Sequence, residues 1–268
     1  MRPSKGLGQN FLISERVLER IVASAELGPG DVVLEVGPGL GLMTRRLAEA
    51  CRGVVAVELD GRMVAILAER LGDLGNVHVV EADILAVDPA ETVAACLGLG
   101  AAPQFKVVAN LPYYITSAAL RHLLEGSQRP TLMTVMVQRE VAGRLVAAPG
   151  GLSVLAVSVQ VYGQPEIVAR VPAGAFYPAP KVDSAVVRVR VYDEPLVPAA
   201  VREQFFRVVR AGFGQKRKQL ANSLGAGLAL GRAAAAAALG RAGIDPSRRA
   251  QTLSVAEWLR LTEVLGEG

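Results

Sequence analysis

Short β-branched runs recur along the first half of this chain, each followed by a stretch of helical periodicity, and that alternation limits the possible folds more than any other feature. The runs are Val32 to Gly37, Val54 to Leu59, Val77 to Ala82, Lys106 to Leu111 and Thr131 to Gln138. Met43 to Ala50, Met63 to Leu71 and Ser117 to Leu124 place apolar residues at helical spacing between them. A strand, a helix and a parallel strand close as a right-handed crossover, so the pattern predicts an α/β fold with a mostly parallel sheet and helices on both faces. Ahead of it, Val17, Leu18, Ile21, Val22 and Ala25 predict a helix capped by Ser14 and stopped by Gly28, Pro29 and Gly30.

Further on, Glu166 to Val171 and Ser184 to Tyr192 read as two strands with only the proline-studded Pro172 to Pro180 between them, and are expected to pair antiparallel at a sheet edge. Strand signals stop after Glu194, Pro195 and Pro198, and helices are predicted over Val201 to Arg210, Lys216 to Leu224, Arg232 to Ala242 and Val255 to Leu265. A domain boundary is placed near 195, separating residues 1–194 from a small helical domain of residues 195–268.

With 51% apolar and 20% charged residues, the chain is neither disordered nor a polyelectrolyte. The alanine run from Ala233 to Leu239 is bounded by Arg232 and Arg241, well short of the 18 or so apolar residues of a membrane span. Residues 1–6 contain no apolar signal core, so a cytoplasmic location is expected. Cys51 and Cys96 lack a CxxC pattern, and His78 and His122 lack ligand spacing, so no metal is expected.

Charge is divided unevenly: residues 1–180 hold 15 Lys and Arg against 17 Asp and Glu, and residues 181–268 hold 14 against 8. Arg202, Arg207, Arg210, Lys216, Arg217 and Lys218 face Glu203 alone, a balance that suits a polyanion.

The first strand ends in Glu35-Val36-Gly37-Pro38-Gly39-Leu40-Gly41. Alternating glycines let the backbone turn at the carboxyl edge of a sheet and let a ligand lie against it. The spacing differs from the G-x-G-x-x-G of dinucleotide sites, which tilts the cofactor towards phosphate-free S-adenosylmethionine. Glu58, at the next strand tip, is placed to accept ribose hydroxyls, and Asp83 at the third to accept from an adenine amine. At the fourth, Asn110-Leu111-Pro112-Tyr113 suits a planar amine: two carbonyls accept its N–H bonds while a ring stacks the heterocycle. Drawing the lone pair of such an amine out of conjugation, towards an electrophilic methyl, is the chemistry of base methylation.

Taken in order, Gly8-Gln9-Asn10-Phe11-Leu12, Glu35 to Gly41, Glu58, Asp83, Asn110 to Tyr113, Gln138 to Val141, Phe176 to Ser184 and Arg217 to Leu220 resemble the small-subunit ribosomal RNA adenine N6-dimethyltransferases over about residues 5 to 255. The resemblance implies a Rossmann-like class I methyltransferase sheet with a C-terminal RNA-binding domain. It implies a monomer that dimethylates two adjacent adenosines near the 3′ end of 16S ribosomal RNA within a pre-30S particle. The cofactor-binding residues it points to are Gln9, Asn10, Leu12, Gly37, Gly39, Gly41, Glu58, Asp83, Ile84 and Asn110. Asn110, Leu111, Pro112, Tyr113 and Phe176 would form the catalytic pocket, Phe176 being singled out by the resemblance alone. Arg207, Arg210, Lys216, Arg217, Lys218, Arg248 and Arg249 would contact RNA. One departure is the short Ala147 to Gly151 loop, where the family carries a longer one with a Tyr-Gly pair.

Two alternatives stay open at this level. The erythromycin-resistance methyltransferases share the fold and chemistry but act on large-subunit RNA, and tend to carry Ile where this chain has Leu111. A non-catalytic RNA-binding assembly factor on the same fold would need no intact Gly37 to Gly41 loop, Glu58, Asp83 or Asn110 to Tyr113 block.

Overall fold

A computed structural model describes residues 9–100 and 103–266. Gly8, which opens the first of the motifs above, and residues 1–6, on which the expectation of no export signal rests, lie outside the described residues. The chain forms two compact units, Met1–Gly143 with Gln164–Asp193, and Arg144–Gly163 with Glu194–Gly268. A single cut near 195 therefore misassigns residues 144–163, which group with the C-terminal helices.

From the N-terminus the elements run β1 (Phe11–Leu12), α1 (Glu15–Ser24), β2 (Val32–Val36), α2 (Leu42–Ala50), β3 (Gly53–Glu58), α3 (Gly61–Leu71), β4 (Val77–Glu81) and α4 (Pro89–Leu97). They continue with β5 (Lys106–Asn110), α5 (Thr116–Glu125), β6 (Leu132–Gln138), α6 (Arg139–Leu145), α7 (Val154–Gln160), β7 (Gly163–Val171), β8 (Phe176–Tyr177) and β9 (Ser184–Val191). The chain closes with α8 (Ala199–Phe213), α9 (Leu220–Gly227), α10 (Arg232–Arg241) and α11 (Val255–Gly266).

In the first unit, seven strands stand in the order β4-β3-β2-β5-β6-β9-β7. Every pairing from β4 to β6 is parallel, and β9 joins β6 antiparallel. All five residues of β2 and all six of β3 are buried, as a central parallel strand requires when helices cover both faces. On one face, Leu18 and Ile21 of α1 and Met43 and Leu47 of α2 pack with Val33, Val54, Val108, Met136 and Val186 in one apolar core. Asp60 and Asp88 cap α3 and α4 by accepting backbone N–H bonds in their first turns. Ser14 occupies the N-cap position of α1 without a side-chain bond.

In the second unit, α8 buries Phe205, Phe206, Val208 and Val209 and leaves Arg207 and Arg210 exposed. The alanine run becomes α10, which buries only Ala235, Ala238 and Leu239, one stripe at helical spacing. No single helix among the described residues is long and apolar enough to cross a membrane. The helix expected over Lys216 to Leu224 begins only at Leu220, because Lys218 N–H bonds to the Gln215 carbonyl in a turn and Gln219 is extended at the N-cap. Lys216, Arg217 and Lys218 therefore lie exposed in the α8–α9 turn instead of opening a helix.

Trp258 of α11 is fully buried, its ring 5.7 Å from that of Phe213 and set directly over Gly212 of α8. A Cβ at Gly212 would overlap the indole and come within 3.2 Å of Leu220. Gly212→Ala therefore sets about 1 kcal/mol of helix propensity gained against a cost of about 1–3 kcal/mol from overpacking. We expect overpacking to win and the melting temperature to fall; an unchanged or raised value in a thermal melt contradicts this packing.

Candidate active site

Val36 of β2 stands level with Val57 of β3 and Ala109 of β5, so the next residue on each strand, Gly37, Glu58 and Asn110, falls in one row at the carboxyl edge of the sheet. With strands about 4.8 Å apart, the backbones of Glu58 and Asn110 flank Gly37 about 10 Å from each other. Glu81 is level with Glu58, and Asp83 follows two residues beyond it. Gly37 and Gly39 have φ of +71° and +55°, values that side chains avoid. A Cβ on Gly37 would lie 3.4 Å from the Asn110 carbonyl, and one on Gly39 3.1 Å from the Phe11 ring, so the loop stays bare where the edge is most crowded.

One cleft at this edge is lined by Gln9, Asn10, Leu12, Gly37, Gly39, Glu58, Asp83, Ile84 and Asn110 together with Leu111, Pro112, Tyr113 and Phe176. Gly41 does not line it. It occupies the N-cap of α2, where a Cβ would meet Leu67 at 3.0 Å, so its lack of a side chain serves the packing of α2 on α3. Residues that sequence reasoning did not single out also line the cleft, among them Pro38, Leu40, Leu42, Met43, Leu59, Tyr114 and Ile115. Leu59 is 47% exposed directly after the strand-tip acid, an apolar surface beside a hydrogen-bonding group. Its position next to Glu58 was the available signal.

Part of the cleft lining comes from a two-stranded ribbon. Phe11 of β1 pairs with Tyr177 of β8 and Leu12 with Phe176, and Ile13 N–H bonds to the Ala175 carbonyl at 2.9 Å. Just before it, Gln9 Nε2 donates to Asp60 Oδ2 at 3.0 Å, and Asn110 Nδ2 donates to the Asn10 carbonyl at 3.3 Å. The second bond turns the Asn110 amide so that Oδ1 is the end not used to hold the N-terminal segment. Phe176 is buried and Tyr113 half-buried, the Tyr113 hydroxyl lying 2.8 Å from Ser184 Oγ. Burial pushes the Tyr113 phenol up, opposed by Ser184.

Glu58 accepts from Asp60 N–H at 3.0 Å and from Gly39 N–H at 3.3 Å, which fixes its carboxylate against the loop. Burial raises its pKa, and those backbone donors oppose the rise. Asp60, beside the Arg62 guanidinium, is held at about 2. Asp83 is exposed and accepts from Leu85 N–H through Oδ1 alone. Glu35, on β2 two residues from Val33, is completely buried, and neither of its carboxylate oxygens has a hydrogen-bond partner among the described residues. Burial pushes it up to about 8; the Thr44 hydroxyl, short of good hydrogen-bond geometry, opposes this, and Glu58 adds to it.

The basic residues divide. Arg207, Arg210, Lys216, Arg217, Lys218 and Arg249 are exposed. Arg248 is not available in the same way: its guanidinium pairs with Glu257 and donates to the Thr252 carbonyl, and Glu257 is held at about 2 by that pairing. Arg202 lies over the Tyr162 ring, 5.4 Å from its centroid, and donates to the Val197 carbonyl.

A sheet that runs parallel through five strands and then takes in an antiparallel one, with its glycine loop after β2, is that of a class I methyltransferase. A family model described as ribosomal RNA adenine dimethylase matches residues 2–267. Ribosomal RNA small subunit methyltransferase A of Dehalococcoides mccartyi is 48% identical over 267 residues, covering 100% of this chain and 90% of that protein. The Moorella thermoacetica protein of the same name is 44% identical, with 98% and 92% covered. Among solved structures, the 23S rRNA methyltransferase ErmE is 35% identical with a TM-score of 0.74, covering 96% of this chain and 100% of that one. A dimethyladenosine transferase from Plasmodium falciparum, 22% identical over 96% of this chain and 98% of its own, shares the fold with a TM-score of 0.81. The chain belongs to the ribosomal RNA adenine dimethylase family and is an enzyme of that kind.

Class I methyltransferases use S-adenosylmethionine, and the cleft suits it. No Lys or Arg is among the described residues lining the cleft, whereas Glu58 and Asp83 are, so its charge favours a cation over a pyrophosphate.

Glu35 also gives the fold a pH dependence. An acid whose folded pKa is raised favours the folded state fully below its ordinary 4.5 and loses that contribution as pH rises through about 8. Stability measured by urea unfolding should therefore fall between pH 5 and pH 8, and fall less in Glu35→Gln, which stays neutral. Equal slopes in the two proteins would show that Glu35 does not titrate in this window.

Proposed function

We propose that this enzyme dimethylates N6 of two adjacent adenosines near the 3′ end of 16S ribosomal RNA, acting as a cytoplasmic monomer on an assembling small subunit. The observation that carries the reading is Asn110, set at the tip of β5 with Oδ1 turned away from its Asn10 contact, beside the Tyr113 ring in a cleft without cations among its described lining residues. The small-subunit names of the relatives support the choice of RNA.

Gln9, Asn10, Leu12, Gly37, Gly39, Glu58, Asp83, Ile84 and Asn110 would hold S-adenosylmethionine, with Glu58 on the ribose hydroxyls and Asp83 on the adenine amine. When bound, the cofactor supplies an electrophilic methyl on a sulfonium centre. Tyr113 and Phe176 take the target base between them after it leaves the RNA stack, since a stacked base cannot present its amine. Asn110 Oδ1 accepts one N–H of that amine. The Pro112 carbonyl already accepts from Ile115 N–H and the Thr116 hydroxyl, so the Leu111 carbonyl is the backbone acceptor for the other. Two acceptors draw the amine towards a tetrahedral form and stabilise the positive charge that grows on it during attack, so no general base is needed before the methyl moves. Once the methylated, cationic amine has lost a proton to water, a single N–H remains, which one acceptor still holds.

Mass spectrometry of nuclease-digested RNA from each ribosomal subunit, after incubation with labelled cofactor, tests the product. We expect N6,N6-dimethyladenosine in small-subunit RNA. Monomethyladenosine alone, or label confined to large-subunit RNA as the ErmE likeness would have it, overturns the assignment. Asn110→Ala should lower kcat by about a hundredfold or more, as removing a group that acts on developing charge does, with RNA affinity kept.

RNA would be held by the second unit through Arg207, Arg210, Lys216, Arg217, Lys218 and Arg249, recognising phosphates and shape. Neutralising Lys216, Arg217 and Lys218 together should flatten the salt dependence of RNA binding by about 0.7–0.9 log units for each phosphate no longer neutralised, while cofactor affinity is unchanged. An unaltered slope places the RNA surface elsewhere.

A further inference from the structure

We propose that Ser184 is a positioning residue for the Tyr113 ring, locking the plane against which the target base stacks. The proposal rests on the base-stacking role given to Tyr113 above. Ser184 is the first residue of β9 and is 0% exposed. Because β9 runs antiparallel to β6, it begins where β6 ends, with Ser184 opposite Gln138. An antiparallel strand thus brings its first side chain to the edge where the parallel strands bring their last. Tyr113, three residues past the end of β5, reaches across the tip of β6, and its hydroxyl lies 2.8 Å from Ser184 Oγ.

Tyr113 is anchored at both ends by this arrangement, through its backbone in the Pro112 turn and through its phenol oxygen on the sheet. A phenol is protonated at neutral pH, and burial pushes this one further from ionisation, so the two hydroxyls share a neutral hydrogen bond. A ring held only at Cβ can rock about χ1 and χ2, whereas a productive pocket needs its groups fixed to within about 10–20°. Ser184 itself touches neither base nor cofactor: it is absent from the residues lining the cleft. Its effect must pass through Tyr113.

A double-mutant cycle in the full chain, assayed on unmodified small ribosomal subunits, tests this. Ser184→Ala and Tyr113→Phe each remove the same bond from one side, and each should lower kcat about fivefold, the worth of one neutral hydrogen bond, with KM and cofactor affinity within about twofold of wild type. The double variant should be no slower than the slower single one, and Ser184→Thr, which keeps the hydroxyl, should restore kcat. Independent effects that multiply in the double variant, a wild-type kcat in Ser184→Ala, or a folded Ser184→Thr as slow as Ser184→Ala would each overturn the proposal. Should Ser184→Ala not fold, Tyr113→Phe decides: kcat at the wild-type level overturns it. Tyr113→Ala separates the two readings, because near-normal turnover there removes the stacking role itself, whereas a large drop beside an unaffected Ser184→Ala removes only the part given to Ser184.

Discussion

Backbone hydrogen bonding on the two sides of β2 decides where everything else at the active site stands. Its register with β3 and β5 brings Gly37, Glu58 and Asn110 level, although they are far apart in the chain. None of the three could be moved singly: a one-residue slip of β3 or β5 would turn every side chain of that strand to the opposite face and take the apolar core with it. The burial of all five β2 residues and the alignment of Gly37, Glu58 and Asn110 are therefore held by the same bonds. Glu58 and Asn110 close their strands and Gly37 follows directly on its own, so the sheet sets their spacing.

Much of this was legible in the sequence because parallel strands buried on both faces leave dense β-branched runs. The five runs of the first half became β2 to β6, with ends within a residue or two, and Glu58, Asp83 and Asn110 were found as the residues where those runs stop. What stayed hidden lacks a period of its own. Strands β1 and β8 are two residues each, too short for any alternation, and exist only because they pair with each other. Helices α4, α6 and α7 are of nine residues or fewer, too short for a helical period to stand out. Residues 144–163 join the second unit through contacts such as the Leu152 N–H bond to the Gln251 carbonyl, and no composition shift marks that. Gly41 is placed apart from the cleft lining, against Leu67, and in one dimension a glycine that leaves room for a neighbouring helix looks like one that leaves room for a ligand.

Charge is the property that most clearly separates the two units. The cleft of the first unit carries acids and no cations among its described lining residues, as a positively charged methyl donor requires. The exposed guanidinium and ammonium groups of Arg207, Arg210, Lys216, Arg217, Lys218 and Arg249 belong to the second.

The β1–β8 ribbon has a consequence for the order of assembly. It joins Phe11 and Leu12 to Tyr177 and Phe176, more than half the chain away, through only two paired positions. So few bonds do not offset the entropy of closing so long a loop in an open chain. They become favourable once the sheet between them has already brought the ends together. Pairing of the ribbon is thus expected to follow that of the strands lying between its halves in the chain. A chain that has paired β2 to β6 but has not yet emerged as far as residues 176 and 177 holds the row of Gly37, Glu58 and Asn110 without the side of the cleft that Phe176 completes.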